Sequence, residues 1–317
     1  MLLLGEILID FLGEGGQALE EAALFRPSPG GAPANAAAAA ARAGARARFA
    51  GCVGRDAFGR LLRAALVAAG VDCTALIEHD QLFTTLAFVL PLARGDSGFQ
   101  FMRGADAALS PDHLPDSLFA GAAALGCGGV SLSAPQSRAA TLHALRRARA
   151  AGATAFFDVN FRPRLWPSAS AAGEAAAEAI ALADVVKCNE AELELLCGTT
   201  GSTAARAATL LRPGGPEAVL VTLAERGALW VSPTAAVEQA GFAVRDLDAV
   251  GAGDCFLGTM LAWWAAEGAG RPASLAPERV ARALRRACAA AALSTTRLGA
   301  IAAMPSAAEV DAFLART

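Results

Sequence analysis

The sequence lacks the short motifs that identify the common nucleotide-binding and hydrolase classes. It contains no GxxxxGK[ST] phosphate-binding loop, and the glycines of GCVGRDAFG (51–59) have the wrong spacing for a GxGxxG dinucleotide fingerprint. It has no GxSxG nucleophile elbow, and its three histidines form no HExxH pair. These absences exclude a Walker-type loop, disfavour a Rossmann dehydrogenase and leave metal-hydrolase chemistry without support.

Patterns of secretion, membrane insertion and metal binding are also missing. The seven cysteines are dispersed and none forms a CxxC pair, so we expect no zinc site and no disulfide framework, but reduced and buried thiols in a cytoplasmic protein. The N-terminal MLLLGEILIDFLG has no basic region and contains Glu6 and Asp10, which argues against a signal peptide. No apolar window of about 18 residues is uninterrupted, so we expect no membrane span. A net charge of −3 gives no reason to expect a nucleic-acid partner.

What the sequence does contain is a regular alternation of short apolar runs and alanine-rich stretches. LLLGEILIDF is predicted as one opening strand, PANAAAAAARAG as a helix ending at Gly44, and the pattern of strand then helix recurs along the chain. Such alternation predicts an α/β fold with a largely parallel sheet covered by helices on both faces. LFTTLAFVLPLARGDSGFQFMR (82–103) departs from the alternation and is predicted as a β-hairpin with RGDSG at its tip.

Polar residues recur where the predicted strands end. They are Asp10, Asp158, Asn160, Arg162, Asn189, Glu192 and Thr222. Ligands bind at the carboxyl ends of strands in open α/β sheets, so these residues are candidates for a binding site. Each of them is also explained as a helix cap or a loop residue, and the residues alone leave both interpretations open.

Two glycine-rich stretches precede predicted helices. SPGGAPAN (28–35) is either a tight turn or a close approach of backbone to ligand, with Asn35 as donor and acceptor. In DAVGAGDCF (248–256), Gly251, Ala252 and Gly253 open a helix whose first N–H groups are free to bind an anion, phosphate above all. Asp254 then lies in the first turn, where it is either a catalytic acid beside the anion or a favourable helix-terminal charge.

These stretches together resemble the ribokinase-like (PfkB) family of carbohydrate kinases. GGAPAN, GCVGRDAFG, DVNFRPRLW, KCNEAEL, VTLAERGALW, DAVGAGDCF and LSTTRLGAIAAMP occur in the family's order, over nearly the whole chain. GEILIDF, GGAPAN, FMRGADAAL and FRPRLW are most similar to fructokinases. The resemblance implies a three-layer α/β/α sandwich in one domain, 1–317, with a small β-sheet lid formed by about 11–25 and 80–106. It also implies transfer of the γ-phosphoryl group of ATP to a primary hydroxyl of a sugar.

The resemblance implies roles for particular residues. Asp254 corresponds to the catalytic base, and Gly251, Ala252 and Gly253 correspond to the anion hole for the migrating phosphoryl group. Residues implied to contact the sugar are Asp10, Gly30, Gly31, Asn35, Phe101, Arg103, Asp106 and Arg162. Residues implied on the nucleotide side are Asn189, Glu192, Thr222, Gly227 and Cys288. Glu192 would hold Mg²⁺ through water, and Asp248, the Val250 carbonyl and the 295–299 segment would hold a monovalent cation such as K⁺.

Three departures from the family pattern bear on specificity. Ala224 follows Leu223 where relatives usually have glycine, and Cys288 replaces a polar residue near the adenine. Phe101 stands where 2-keto-3-deoxygluconate kinases often have a tyrosine, and this sequence has no tyrosine. The leading hypothesis is therefore phosphorylation of fructose to fructose 6-phosphate. The alternatives are a 2-keto-3-deoxygluconate kinase, with Arg103 and Arg162 on the acidic sugar, a purine nucleoside kinase, or a sensor that binds without catalysis.

The predicted hairpin also bears on assembly. Its apolar residues include Phe83, Leu86 and Phe88, which a two-stranded element alone would leave exposed. We therefore expect a homodimer that packs through the lid.

Overall fold

A computed structural model describes residues 1–15, 18–90, 99–267 and 270–317. Its strands are β1 (Leu2–Leu4), β2 (Leu8–Glu14), β3 (Leu24–Gly30), β4 (Arg48–Gly54), β5 (Asp72–His79), β6 (Leu86–Val89), β7 (Phe99–Met102), β8 (Ala124–Gly128), β9 (Thr154–Asp158), β10 (Val185–Asn189), β11 (Ala218–Thr222), β12 (Gly227–Val231) and β13 (Ala236–Ala240). Its helices are α1 (Ala32–Arg42), α2 (Ala57–Ala68), α3 (Pro135–Ala150), α4 (Ala169–Ile180), α5 (Glu190–Cys197), α6 (Thr203–Ala208), α7 (Ala252–Glu267), α8 (Pro277–Thr295) and α9 (Ala307–Leu314).

A nine-stranded sheet forms the centre of the protein, in the order β13-β12-β11-β10-β9-β8-β1-β4-β5. Strands β11, β12 and β13 pair antiparallel, and the other neighbours pair parallel. Neighbouring residues of one strand enter different cores, because side chains alternate across a sheet. Leu3 joins the core that contains α1, α7 and α8, whereas Leu2 and Leu4 join the core that contains α3 and α4. The predicted α/β sandwich with a mostly parallel sheet is confirmed.

The opening run LLLGEILIDF is two strands, so its prediction as one strand is wrong. The chain turns at Gly5, whose φ is 147° and whose missing Cβ would lie 2.7 Å from Cγ of Pro33. Strand β1 ends before this turn and belongs to the large sheet, while β2 begins after it and belongs to a second, smaller sheet. Both halves are apolar, so hydrophobicity alone does not reveal the change of sheet.

The smaller sheet has four strands, in the order β3-β2-β6-β7. Strands β6 and β7 pair antiparallel with Leu86 opposite Met102, which confirms the predicted hairpin, although its RGDSG tip lies outside the described residues. The pairing places Phe11, Phe88 and Met102 on one face of this sheet, and Asp10, Ala87 and Phe101 on the other. We call these the outer face and the cavity face of the small sheet.

The cysteines behave as small apolar residues. Six of the seven are buried and Cys197 is half-buried, and all seven are free thiols. Within the described ranges, no helix is long and apolar enough to cross a membrane.

Candidate active site

One large cavity of about 1350 Å³ lies where the central strands end and the small sheet faces them. Strands β10 and β11 end on it at Asn189 and Thr222, as expected for ligand sites of open α/β sheets. Predicted site residues on its wall are Asp10, Gly31, Asn35, Phe101, Asn160, Arg162, Asn189, Glu192, Thr222, Gly227, Val250, Gly251, Ala252, Gly253, Asp254 and Cys288. Five predicted residues lie off this wall, namely Gly30, Arg103, Asp106, Asp158 and Asp248.

The close packing of α1 on α7 sets the centre of the site. A Cβ at Gly258 of α7 would collide with the carbonyl oxygen of Ala36 on α1, so only glycine allows this approach. The alanines of α1 are buried at the contact. The two helix starts therefore meet, and Nδ2 of Asn35 donates to Oδ2 of Asp254 over 2.8 Å.

Asn35 keeps one hydrogen-bonding group available. Its side chain is 4% exposed, and its Oδ1 has no hydrogen-bond partner in the described structure. Buried polar atoms are normally paired, so an unpaired one on a cavity wall indicates a ligand contact. The geometry suits a sugar hydroxyl, which donates to such an oxygen.

The electrostatic environment makes Asp254 a better base than an ordinary aspartate. Burial raises the pKa of Asp254, and the carboxylate of Asp158 acts in the same direction. Lys187, the hydrogen bond from Asn35 and Arg162 oppose that rise in pKa without cancelling it. A carboxylate with a raised pKa accepts a proton from an alcohol more readily.

Asp10 lies on the cavity face of the small sheet, across the site from α7. Burial raises the pKa of Asp10 to about 7, and the Asp254 carboxylate adds to the effect while Arg162 opposes it. Gly30 lies off the wall but supports Asp10, since a Cβ on Gly30 would collide with the Asp10 carboxylate. Two interacting carboxyl groups thus share one end of the cavity.

The turn at Gly251–Gly253 opens α7 as predicted. Gly251 has φ 79°, a left-handed value that favours glycine, and α7 begins at the next residue. A Cβ on Gly253 would lie 3.3 Å from Nζ of Lys187. The helix N-terminus and an ammonium group therefore border the same space, which suits an anion.

Lys187 is a site residue that the sequence reasoning missed. It lies in the middle of the apolar run VVKCN, is 7% exposed, and bonds the Asp158 carboxylate at 2.8 and 3.1 Å. Burial alone would lower the pKa of Lys187, but the carboxylates of Asp158 and Glu192 raise it, so the group is charged. The available signal was a lysine inside a strand predicted as buried, because buried charges occur mainly in pairs.

Asn160, a strand-end candidate to which the family resemblance assigned no role, also lies at the site. Its φ of 37° is rare for a residue other than glycine, its side chain is 6% exposed, and its Nδ2 has no hydrogen-bond partner in the described structure. It lines the cavity and offers a free donor there. Strained backbone of this kind clusters at functional sites.

The Asn189–Glu192 pair forms a capping box at the start of α5. Asn189 Oδ1 accepts from the Glu192 N–H over 2.8 Å, and Glu192 accepts from the backbone N–H groups of Asn189 and Phe161 over 2.9 and 2.8 Å. Burial raises the pKa of Glu192, and Asp158 adds to this rise. The carboxylate therefore holds the local backbone and also faces the cavity with its remaining lone pairs.

The nucleotide side of the cavity is formed by β11, β12 and α8. Thr222 ends β11, with its Oγ1 donating to the Cys188 carbonyl over 3.4 Å, and Gly227 has φ 107°. Cys288 and Ala291 of α8 give this side an apolar surface. Burial raises the pKa of the Cys288 thiol to about 12, so it acts as a small apolar group here.

Asp248 joins two loops beside the site. Its Oδ1 accepts from the Val250 N–H and its Oδ2 from the Gly299 N–H, both over 2.9 Å. The carboxylate thus holds the 248–250 and 295–299 segments together. No group of three or more His, Cys, Asp or Glu side chains in the described part of the chain is arranged to hold a metal ion.

Arg103 and Asp106 are bonded to each other beside the cavity. Arg103 Nη2 lies 2.8 Å from Asp106 Oδ2, and Arg103 Nη1 donates to Ser133 Oγ over 2.6 Å. Asp106 also accepts from the Thr85 hydroxyl. The structure therefore gives Arg103 intramolecular partners, whereas Arg162 is on the cavity wall.

The whole chain is similar to known carbohydrate kinases in both sequence and structure. The family model described as pfkB family carbohydrate kinase matches residues 1–307. The chain is 38% identical over 309 residues to fructokinase-2 of Solanum habrochaites, covering 96% of this chain and 93% of that protein. A solved structure of a fructokinase from Xylella fastidiosa with bound ATP is 35% identical, with a TM-score of 0.90, over 100% of this chain and 98% of that one.

A second solved structure is a double mutant of a fructokinase from Vibrio cholerae O395 in fructose, ADP and potassium ion bound form. It is 32% identical, with a TM-score of 0.86, over 99% of this chain and 97% of that chain. The high TM-scores over the full length confirm the fold expected from the sequence.

Proposed function

Because the chain belongs to the pfkB family of carbohydrate kinases, we propose that it transfers the γ-phosphoryl group of ATP to the primary hydroxyl of D-fructose and forms fructose 6-phosphate. The observation that carries the proposal is the bond between Asn35 and Asp254 at the anion-binding start of α7. It supports the proposal because it joins the proposed base to the proposed sugar contact beside the proposed phosphate site, in one cavity. The fructokinase relatives support fructose as the acceptor.

In the proposed reaction, the sugar hydroxyl oxygen attacks the γ-phosphorus, the bond to the β,γ-bridging oxygen breaks, and ADP leaves. Asp254 accepts the hydroxyl proton and later releases it to solvent, so that the products are the phosphate ester, ADP and one proton. The transition state of such transfers is loose, so catalysis consists mainly of positioning and charge stabilisation. Asn35 fixes the Asp254 carboxylate, and its free Oδ1 accepts from a sugar hydroxyl.

Charge on the transferring group is stabilised by the start of α7 and its surroundings. The N–H groups at Gly251–Gly253 point toward the anion, and each such donor is worth about 3 kcal/mol in comparable sites. Lys187 adds a full positive charge beside Gly253, and Asp158 keeps that charge in place. Asn160 and Arg162 supply further donors to phosphate or sugar oxygens from the same wall.

Two cations fit the residues present. Mg²⁺ prefers oxygen ligands and retained waters, and Asn189 and Glu192 offer such oxygens on the nucleotide side. When bound with ATP, Mg²⁺ would neutralise phosphate charge. A monovalent cation such as K⁺ would be held by Asp248, the Val250 carbonyl and the 295–299 segment, where it would support the turn that precedes α7.

The sugar end of the cavity favours a neutral acceptor. Phe101, Leu8 and Leu12 give it an apolar wall, and two carboxyl groups, Asp10 and Asp254, lie at this end. A 2-keto-3-deoxygluconate kinase needs positive charge for the substrate carboxylate. Arg103 already pairs with Asp106 and Lys187 with Asp158, so within the described residues Arg162 is the cation on the cavity wall left for the acidic sugar.

The small sheet is proposed to act as a lid, because its cavity face carries Asp10 and Phe101 over the sugar end. A closing element of this kind excludes water and limits ATP hydrolysis. Dimerisation through the outer face of this sheet and a cytoplasmic location also belong to the proposal. The exposed Met102 on that face supports the dimer.

The test is a substrate panel with coupled detection of ADP, containing fructose, 2-keto-3-deoxygluconate, other hexoses and purine nucleosides. We expect the highest kcat/KM for fructose and a 6-phosphate product by NMR. A much higher kcat/KM for the sugar acid or for a nucleoside would contradict the proposal.

The same panel with Asp254→Asn distinguishes a kinase from a sensor. Loss of a general base costs about 10²–10⁴-fold in rate, so turnover should fall by that amount. Binding of ATP and fructose, measured by calorimetry, should remain because Asn keeps the side-chain shape. Turnover near the wild-type value would show that Asp254 is not the base.

A further inference from the structure

Helix α1 begins without a cap of its own. Its N-cap residue is Gly31, which has no side chain to accept from the first N–H groups. A capping serine or aspartate cannot replace it, because a Cβ on Gly31 would lie 2.6 Å from the Glu6 carbonyl oxygen and 2.9 Å from Cα of Ile7. Its φ of 104° also favours glycine. The close approach that shapes this turn therefore excludes local capping.

Glu6 supplies the missing acceptor from 26 residues upstream. Its Oε1 accepts from the Ala32 N–H over 3.2 Å, and its Oε2 accepts from Ser131 Oγ over 3.3 Å. The side chain is 2% exposed and borders the cavity. The Glu6 side chain thus accepts from one of the N–H groups that the start of a helix otherwise leaves without a partner.

Glu6 connects the junction of the two sheets to the start of α1. Glu6 lies between β1 of the large sheet and β2 of the small sheet. Its Ala32 contact fixes the first turn of α1, in which the Asn35 N–H bonds the Gly31 carbonyl over 2.8 Å. Asn35 in turn holds Asp254. One buried side chain thus connects the junction of the two sheets to the sugar contacts and the base.

We propose that Glu6 is a positioning residue for the acceptor sugar, which fixes the Gly31–Asn35 turn and, through Asn35, the carboxylate of Asp254. The inference rests on the proposed function in one respect, namely that the acceptor sugar binds at this turn. It assigns Glu6 no contact with the reacting atoms. Its effect is on the sugar side of the reaction and not on ATP.

Because Glu6 is mostly in its neutral acid form, glutamine is a conservative substitute for it. Burial raises the pKa of Glu6 to about 8, with the Asp106 and Asp254 carboxylates adding to the rise and Arg103 opposing it. The group is therefore mostly protonated at neutral pH, and an amide of the same length reproduces its shape and its acceptor. Glu6→Gln should keep the Ala32 hydrogen bond, whereas Glu6→Leu removes it.

The experiment compares steady-state kinetics of the wild type, Glu6→Leu, Glu6→Gln and Ser131→Ala, with each substrate varied in turn. For Glu6→Leu we expect KM for fructose to rise and kcat to fall by about tenfold each, with KM for ATP within about twofold. Glu6→Gln should restore both values to within about twofold of wild type, and Ser131→Ala should raise the sugar KM by about two- to fivefold.

Asp184→Leu is the matched control. Asp184 is a half-buried carboxyl group, paired with Arg149, that likewise accepts from a distant backbone N–H, that of Ala155, over 2.8 Å. It precedes β10, at the end of the sheet opposite the cavity. We expect the control to lose stability while both KM values stay within about twofold of wild type.

A folded Glu6→Leu protein with an unchanged sugar KM would overturn the inference, as would equal changes in the KM for sugar and for ATP. If Glu6→Leu does not fold, Ser131→Ala decides, and an unchanged sugar KM in that variant overturns the inference. If the wild type phosphorylates another sugar and not fructose, the same comparison is made with that sugar.

A wild type that phosphorylates no sugar contradicts the proposed function, and Glu6 is then judged by amide hydrogen exchange of a peptide spanning 28–40. Exchange of the first turn of α1 should be about tenfold faster in Glu6→Leu or Ser131→Ala than in wild type. Unchanged exchange would overturn the inference.

Discussion

Ala224 has a backbone conformation that suits glycine. Its φ of 53° is left-handed, where a residue with a Cβ is strained by about 1–2 kcal/mol. Glycine removes this strain but loses about 0.4–1 kcal/mol through the greater freedom of the unfolded chain. We therefore expect Ala224→Gly to stabilise the protein by about 0.5–1 kcal/mol, measured by urea denaturation.

Ala243→Gly is the control for Ala224→Gly, because Ala243 is also an exposed loop residue at the edge of the cavity. Its φ is outside the left-handed region, so glycine should destabilise the protein there. Equal effects of the two substitutions would contradict the role of backbone strain. Relatives usually have glycine after TL; this chain has alanine there, but its backbone keeps the left-handed conformation that favours glycine.

The pH dependence of activity follows from the carboxyl pair at the sugar end. Burial raises the pKa of Asp10 to about 7 and also raises the pKa of Asp254. The base must be ionised to accept a proton, so the raised pKa of Asp254 should move the acidic limb of kcat/KM for the sugar to higher pH than an ordinary aspartate would give, with full activity on its alkaline side. A rate profile over the pH range of stability measures this acidic limb.

Asp10→Asn tests whether the two carboxyl groups interact. Removing one negative charge makes the other group easier to ionise, so the acidic limb should move to lower pH in the variant. The comparison between two proteins removes the contribution of ATP's own ionisation. If kcat/KM fell at the same pH in both proteins, the Asp10 and Asp254 carboxyl groups would not interact as proposed.

Residues of the site differ in how well sequence alone identifies them. Asp254 and Asn35 belong to glycine-rich stretches that stand out in the sequence, and both line the cavity. Lys187 and Glu6 lie inside apolar runs, where a charged residue gives no local sign of its partner. Their partners, Asp158 and Ala32, are 29 and 26 residues away, and only the packing of strands and helices joins them.

At the scale of elements, α7 contains two glycines with opposite expected effects. Gly253 lies in the first turn of the helix, where alanine is a better helix former by up to about 1 kcal/mol. A Cβ there would lie 3.3 Å from Nζ of Lys187 and would displace that group from the anion site. Gly253→Ala should therefore keep or raise the melting temperature while kcat falls by about tenfold or more.

Gly258→Ala in the same helix is the contrasting variant. Its Cβ would collide with the Ala36 carbonyl oxygen of α1, so we expect loss of stability of about 1–3 kcal/mol from overpacking. Calorimetry together with steady-state kinetics separates the two cases. A Gly253→Ala protein with unchanged kcat would show that Lys187 and the turn do not hold the transferring group.

The local hydrophobic pattern predicts individual strands and helices but not always the sheet to which a strand belongs. Alternation of apolar runs and alanine-rich stretches predicts the parallel sheet, because each strand and helix shows its own periodicity. The same alternation does not predict that LLLGEILIDF divides between two sheets, since both sheets bury apolar residues there. The division depends on contacts of Gly5 with Pro33 and Ser131, which are distant in sequence.

At the scale of the whole molecule, the outer face of the small sheet remains partly uncovered. Phe88 is not left exposed as a lone hairpin would leave it, because it stacks on Phe11 at 5.1 Å and meets Phe25 edge-on at 5.3 Å. Met102 on the same face is 43% exposed. An exposed large apolar side chain on a sheet face makes that face a candidate interaction site.

A second copy of the chain is the proposed occupant of this face, so charge placed there should favour monomers. We expect the wild type to sediment as a dimer at micromolar concentration and Met102→Glu to sediment largely as a monomer, because dimerisation would bury an unpaired carboxylate. Leu195→Glu on α5 is the control, since Leu195 is 42% exposed and lies outside the small sheet, and it should remain dimeric. A monomeric wild type, or dimers of equal strength in all three proteins, would contradict an interface on the outer face.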